Sequence, residues 1–295
     1  MPYAKNGVVD LYYETFGSTS DPTLLLINGL GSQSINYRTE WCEMFAAEGF
    51  HVVRFDNRDV GLSTMFDAFE PDLRATFKAM RAGEQPKVPY TIADMAADAI
   101  AVLDAVGAAT AHVMGLSMGG MIAQTVAIAY PDRVRSLVSV MSTTGESEYG
   151  KASDRAQEVF AMPPPRDRDD AVERNVIGKK AWGSPAHHDP DRLRAEAAEA
   201  IDRSFNPAGQ VRQQMAIMTG GSRVDGLRAL TVPTLVMHGT EDGLIAPDAG
   251  VRTAEVIPGA RLVLWEGMGH DYPSAYWPQW VAEVTAHAKA ADAPA

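Results

Sequence analysis

One cysteine in 295 residues is too few for an internal disulfide, which fits a chain kept in a reducing compartment. That residue, Cys42, sits among Trp41, Met44 and Phe45 with no basic neighbour to activate it, and reads as core filler. Positive charge is also scarce. With 26 Lys and Arg against 38 Asp and Glu, the formal net charge is −12. A surface of that sign repels phosphate backbones and anionic lipid, so no nucleic-acid or membrane partner is expected. No apolar run approaches the roughly 18 residues of a membrane span, and Met1 to Gly7 has no apolar stretch behind a basic start. A cytoplasmic location is the expectation. Repeats and low-complexity stretches are lacking, and only the tail, residues 291–295, reads as disordered. What remains is a chain with 46% hydrophobic residues, long enough for one large domain carrying an insertion.

Residues 8–16 alternate loosely up to Gly17 and read as an opening strand or hairpin. Thr23 to Ile27 is continuously apolar, as a strand covered on both faces should be, and runs into Asn28-Gly29-Leu30-Gly31-Ser32. A helix over residues 36–48, stopped by Gly49, leads to a second strand, His51 to Phe55, which delivers Asp56 to Ser63. This segment is expected to serve structure, with Arg58 bracing the loops near the turn after Ile27. Residues 65–89 read as a loop with one helix between Asp72 and Arg81. Thr91 to Val106 is an amphipathic helix opened by a Thr91 and Asp94 box. A short buried strand from Ala111 and an alanine-rich helix after Ser117 follow, then a strand from Arg133 to Met141. Composition changes at Ser142. As far as Gly221 the chain is rich in Ala, Arg, Asp and Glu, is broken at Pro163-Pro164-Pro165, and shows helical pieces at 153–160, 170–178 and 190–205 without a buried strand. Strands resume at Thr234 to His238 and Arg261 to Trp265, separated by a helix over Asp248 to Val256 and followed by a last helix from Ser274 to Lys289. Alternating strands and helices with short connections predict a mostly parallel, doubly wound α/β sheet. The division is a core of 1–141 and 222–295 with a helical cap at 142–221.

Gly115-Leu116-Ser117-Met118-Gly119 is a Gly-x-Ser-x-Gly motif at a strand-to-helix turn, where a serine is held exposed and strained. A serine hydroxyl needs a base, and the base an orienting carboxylate. In a parallel sheet both should come from later loops at the same carboxyl edge. Gly239 to Pro247 offers Glu241 and Asp242, and Glu266 to Asp271 offers His270 with Asp271 beside it. Developing negative charge on a substrate oxygen needs backbone donors. Met118 supplies one because it opens a helix; Leu30, flanked by Gly29 and Gly31, supplies the other. Met118, Met162, Met215 and Met218 are candidates to line an apolar acyl pocket.

These blocks resemble the α/β-hydrolase superfamily over nearly the whole chain except the cap, and Asp56 to Thr64 with Ala111 to Gly119 is similar to the aclacinomycin methylesterase group. The resemblance implies hydrolysis of an ester through an acyl-serine intermediate without a cofactor, with Ser117 as nucleophile, His270 as general base and then acid, and Asp242 as orienting carboxylate. Where many members have His-Gly, this chain has Asn28-Gly29. The expectation is a serine carboxylesterase for small to medium apolar esters, whose partner is the substrate, with self-association left open. A carbon–carbon bond hydrolase or perhydrolase uses the same triad. An NAD(P)-binding Rossmann protein would use Gly29 to Ser34 and Asp56, but that fingerprint is imperfect, with Ser34 in place of its third glycine. No metal is expected: His187 and His188 are adjacent and do not converge on one ion. His51, His112 and His238 read as core or strand-end residues and His287 as solvated.

Overall fold

The structure, a computed structural model, describes residues 2–162 and 165–293. Pro163 and Pro164 of the expected break, and Pro294 and Ala295 of the tail, lie outside the described residues. The opening segment is a hairpin: β1 (Tyr3–Asn6) pairs antiparallel with β2 (Val9–Phe16) across a turn at Gly7, whose φ of 60° favours glycine. β3 (Thr23–Ile27), α1 (Thr39–Ala47) and β4 (His51–Phe55) follow. Next come α2 (Leu73–Arg81), α3 (Ile92–Ala105), β5 (Ala111–Leu116), α4 (Met118–Ala129) and β6 (Val134–Val140). The chain then passes through α5 (Asp154–Phe160), α6 (Arg168–Trp182), α7 (Pro190–Arg203), α8 (Pro207–Thr219) and α9 (Val224–Arg228). It closes with β7 (Thr234–Gly239), α10 (Asp248–Val256), β8 (Arg261–Trp265) and α11 (Trp277–Asp292).

The strand order β1-β2-β4-β3-β5-β6-β7-β8 is antiparallel only for the pairs β1 with β2 and β2 with β4. Every other pair is parallel, so β3, β5, β7 and β8 all end at one edge. The run Leu24-Leu25-Leu26-Ile27 explains why β3 lies inside the sheet. Leu24 and Leu26 pack on one face with Trp41, Phe45 and Trp280, while Leu25 and Ile27 pack on the other with Met95, Ala99 and Ile122. Each such fully buried aliphatic side chain contributes about 1.5–3 kcal/mol, offset by the entropy of ordering it.

Two features were not anticipated. Among the described residues α8 is a fourth long helix between β6 and β7, beside the three expected. Its buried face carries Arg212 and Gln213, which hides the apolar period. Nor does the Arg58 side chain brace the turn after Ile27; it forms a bidentate pair with Asp98 of α3 at 2.6 and 2.7 Å. Its neighbours reach that turn instead. Asn57 Nδ2 donates to Asn28 O at 3.1 Å, and Asp56 Oδ1 accepts from Ser34 N at 2.6 Å.

Those neighbours also hold the inserted helices. Asp56 pairs with Arg203 at the end of α7 at 2.8 Å. Asp59 receives Arg212 of α8 through two hydrogen bonds of 2.9 and 2.8 Å, together with the Tyr90 hydroxyl at 2.6 Å and Phe66 N at 2.7 Å. Gln213 spans the same gap, accepting from Gly31 N and donating to Arg58 O, each at 2.8 Å.

Candidate active site

Ser117 is the residue between β5 and α4, with φ 56° and ψ −119°. A non-glycine residue there carries strain of about 1–3 kcal/mol, so its surroundings must hold it. They do. Ser117 N donates to Val140 O at 2.9 Å, and Ser117 O accepts from Ser142 Oγ at 2.8 Å and from Gly120 N at 2.9 Å. The two motif glycines answer to close approach: a Cβ on Gly115 would lie 2.0 Å from Gly119 O, and one on Gly119 would lie 2.1 Å from Ile27 O. No larger residue fits between β3, β5 and α4.

The turn after β3 passes over the serine. A Cβ on Gly29 would stand 3.3 Å from Ser117 Cβ and 3.8 Å from its Oγ. Among the described residues neither Leu30 N nor Met118 N has an acceptor. Met118 N belongs to the first turn of α4, where amides lack intrahelical partners. Met118 packs in the core and Met215 is 1% exposed, while Met162 and Met218 are half-buried.

Asp242 and His270 come together from the loops after β7 and β8. His270 Nδ1 lies 2.7 Å from Asp242 Oδ2. An ionised carboxylate only accepts, so Nδ1 carries the proton and Nε2 keeps a free lone pair. Asp242 Oδ1 accepts from Leu244 N and Ile245 N, both at 2.9 Å. Burial pulls its carboxyl upward, but the His270 and His238 rings outweigh burial and hold it well below the usual carboxylate range. Glu241, the adjacent acid, is exposed, and the Asp271 carboxylate is turned to Ser184. Ser117 Oγ and His270 Nε2 share this edge of the sheet, and among the described residues no hydrogen bond joins them; such bonds commonly tighten only when substrate binds.

His238, read from sequence as a core or strand-end residue, stands beside the candidate site. Its Nε2 lies 3.2 Å from Asp242 Oδ2 and 2.8 Å from Ile245 O, two acceptors that place the proton on that nitrogen. Asp242 therefore accepts three hydrogen bonds, with the His238 ring as a further close polar contact on Oδ2. The signal was its place four residues before Asp242, at the end of β7.

A cavity of about 190 Å³ lies between the Leu30–Ser32 turn, the Asp271–Pro273 segment and helices α6 and α7. Its walls include Arg38, Lys179, Arg192 and Glu196. No group of three or more His, Cys, Asp or Glu arranged for a metal occurs among the described residues. His187 and His188 lie at a surface depression.

The strand order, the strained serine and the Asp242–His270 pair have a counterpart in sequence: the pattern of the alpha/beta hydrolase fold family matches residues 22–272. The chain belongs to that family. This alpha/beta hydrolase is similar to rhodomycin D methylesterase of Streptomyces peucetius, 28% identical over 309 residues that cover 97% of each chain. A rhodomycin D methylesterase from another Streptomyces strain is likewise 28% identical, over 306 residues and 96% of each. A solved meta-cleavage product hydrolase from Pseudomonas fluorescens superposes with a TM-score of 0.77 at 18% identity, over 99% of this chain and 98% of that one, a likeness of fold. Family and relatives make the chain a hydrolase. Among its described residues no helix is long and apolar enough to cross a membrane.

Proposed function

We propose that the chain is a serine carboxylesterase that hydrolyses small to medium esters through an acyl-serine intermediate, with residues 142–221 as a cap over the site. The observation that carries this reading is the Asp242–His270 hydrogen bond of 2.7 Å at the sheet edge where Ser117 is presented. His270 Nε2 takes the proton from Ser117 Oγ as the oxygen attacks the ester carbonyl. The Leu30 and Met118 amides, which have no acceptor among the described residues, receive the oxyanion. His270 then returns the proton to the departing alcohol. A water, deprotonated by the same nitrogen, releases the acid and restores the serine. Asp242 stays ionised throughout and stabilises the imidazolium. The methylesterase names of the Streptomyces relatives support ester as the substrate class. The cavity beside Leu30 is lined by neither Ser117 nor His270, so its charged walls do not bear on the acyl group, and apolar esters remain part of this reading. A cytoplasmic location, supported by the lone cysteine, belongs to it.

The test is Ser117→Ala, assayed with p-nitrophenyl esters of graded acyl length and with a fluorophosphonate probe. Ester turnover and labelling should both vanish while the far-UV circular dichroism stays unchanged. Undiminished turnover in this variant, or wild-type turnover of a ring-cleavage diketone with none of any ester, would overturn the reading.

A further inference from the structure

The loop that carries His270 is held from two directions. From the core, Glu241 N donates to Met268 O at 2.9 Å, and Asp242 takes the imidazole. From the insertion, the turn after α6 bonds to three consecutive residues. Trp182 O accepts from His270 N at 2.6 Å. Ser184 Oγ accepts from Gly269 N at 2.9 Å and donates to Asp271 Oδ1 at 2.5 Å, while Ser184 N donates to Asp271 Oδ2 at 3.0 Å. The hydroxyl thus uses its one proton and a lone pair, and the carboxylate receives a donor on each oxygen. The backbones are in contact. A Cβ on Gly269 would lie 2.3 Å from Gly183 C, and one on Gly183 would lie 2.7 Å from Asp271 Oδ2. Ser184 is 1% exposed, so water does not compete for these bonds.

The geometry points to Ser184 and Asp271 as positioning residues that make the catalytic base depend on the seating of the cap. This inference rests on the esterase reading and deepens it. Asp242 fixes the ring of His270 through Nδ1, but the main chain of His270 is fixed by residues 182–184, which belong to the insertion. When the end of α6 is seated, Gly269, His270 and Asp271 each have a partner from it, and the imidazole is aimed by two independent supports. When it lifts, His270 keeps its carboxylate and loses its backbone anchor. The insertion is then more than a roof: its docking completes the base, and only a seated cap gives full turnover. Asp271 acts in this through Ser184, not as the acid of the triad.

Ser184→Ala removes one donor and one acceptor and leaves the backbone bonds in place. With p-nitrophenyl acetate, kcat should fall by about 10- to 100-fold, the scale of a sub-ångström to 1 Å misplacement of a catalytic group, with KM nearly unchanged. The rate of fluorophosphonate labelling should fall with kcat. Ser184→Thr, which keeps the hydroxyl, should restore most of the rate. Adding Asp271→Asn to Ser184→Ala should cost little more, because both changes break one unit. Hydrogen exchange of residues 266–272 should rise in Ser184→Ala. An unchanged kcat, a loss carried by KM, or failure of threonine to rescue would overturn the inference. If the wild-type chain turned over no ester, the esterase reading would fall, and exchange would still decide the contact: a rise in Ser184→Ala supports it and no change overturns it.

Discussion

The two edges of one sheet use the same side chain in opposite ways. At the carboxyl edge, His238 and His270 both point a ring nitrogen at Asp242, 3.2 and 2.7 Å away. At the amino edge, where β4, β5 and β6 begin, His51, His112 and His287 are packed against apolar surroundings with weaker partners. Among the described residues His51 Nδ1 has only Thr23 Oγ1 at 3.4 Å and its Nε2 has no partner, while His112 has Ser136 at 2.9 Å and Asp292 at 3.3 Å. His287, expected in solvent, is half-buried with an unpartnered Nε2. The Asp242 carboxylate, which the two rings hold well below the usual carboxylate range, separates the groups. At the carboxyl edge one carboxylate orients two rings, whereas at the amino edge burial outweighs the partners present and disfavours the charged ring.

Substitutions can break that comparison, beginning with the carboxylate. Asp242→Asn removes the charge and presents an amide donor or acceptor where the ring needs an anion. The expected loss in kcat is about 10⁴-fold, measured on a p-nitrophenyl ester, with some fluorophosphonate labelling left. A loss no greater than that of Glu241→Gln would show that Asp242 is not the acid. His238→Phe keeps a ring and deletes the ring nitrogen that stands 3.2 Å from Asp242 Oδ2. One net hydrogen bond to a charged group, expressed in the transition state, corresponds to about tenfold in kcat. A fall as deep as that of Asp242→Asn would mean that His238 shares in proton transfer, whereas no fall would make it a core residue.

The amino edge should report itself through acid stability rather than rate. Burial pushes His51, His112 and His287 below the ordinary imidazole range; Asp21 partly offsets this for His51, and Asp292 does so for His112. The folded chain therefore binds fewer protons than the unfolded one near pH 6. Stability is complete above the ordinary histidine pKa of about 6.5 and is lost as pH falls below it. The depressed Asp242 carboxyl works in a lower window, complete above about pH 3.9 and lost on the way down to its own value. Thermal midpoints recorded from neutral to acid pH should show both slopes. His112→Gln should flatten the upper one while leaving kcat at neutral pH within about twofold, since distant sites act independently. An upper slope untouched by that change would remove His112 from the account.

How far these roles were legible depended on how local their causes are. The strained turn at Ser117 was readable because its motif glycines answer to close approach, Gly115 to Gly119 within one strand-turn-helix unit and Gly119 to Ile27 of the adjacent strand. β3 was readable because its four consecutive apolar residues match burial on both faces. The Thr91 and Asp94 box was readable because it is closed within one helical turn, with Asp94 Oδ2 accepting from Thr91 N at 2.8 Å. α8 was missed because its buried face is polar, and Arg212 makes sense only beside Asp59, 153 positions earlier in the chain. The role of His238 was missed because a strand-end histidine becomes a partner of Asp242 only once the loop after β7 folds back. Ser184 carried no signal at all: its partners lie 85 and 87 positions away.

The anchoring of α7 and α8 bears on any exchange of these helices between relatives. Asp56 and Asp59 are each 0% exposed, and their cations, Arg203 and Arg212, are supplied by the insertion. A segment borrowed from a relative without those two arginines would strand two carboxylates in the interior, where breaking a buried pair costs about 3–5 kcal/mol. An exchange of α7 and α8 should therefore carry the loop after β4 with them.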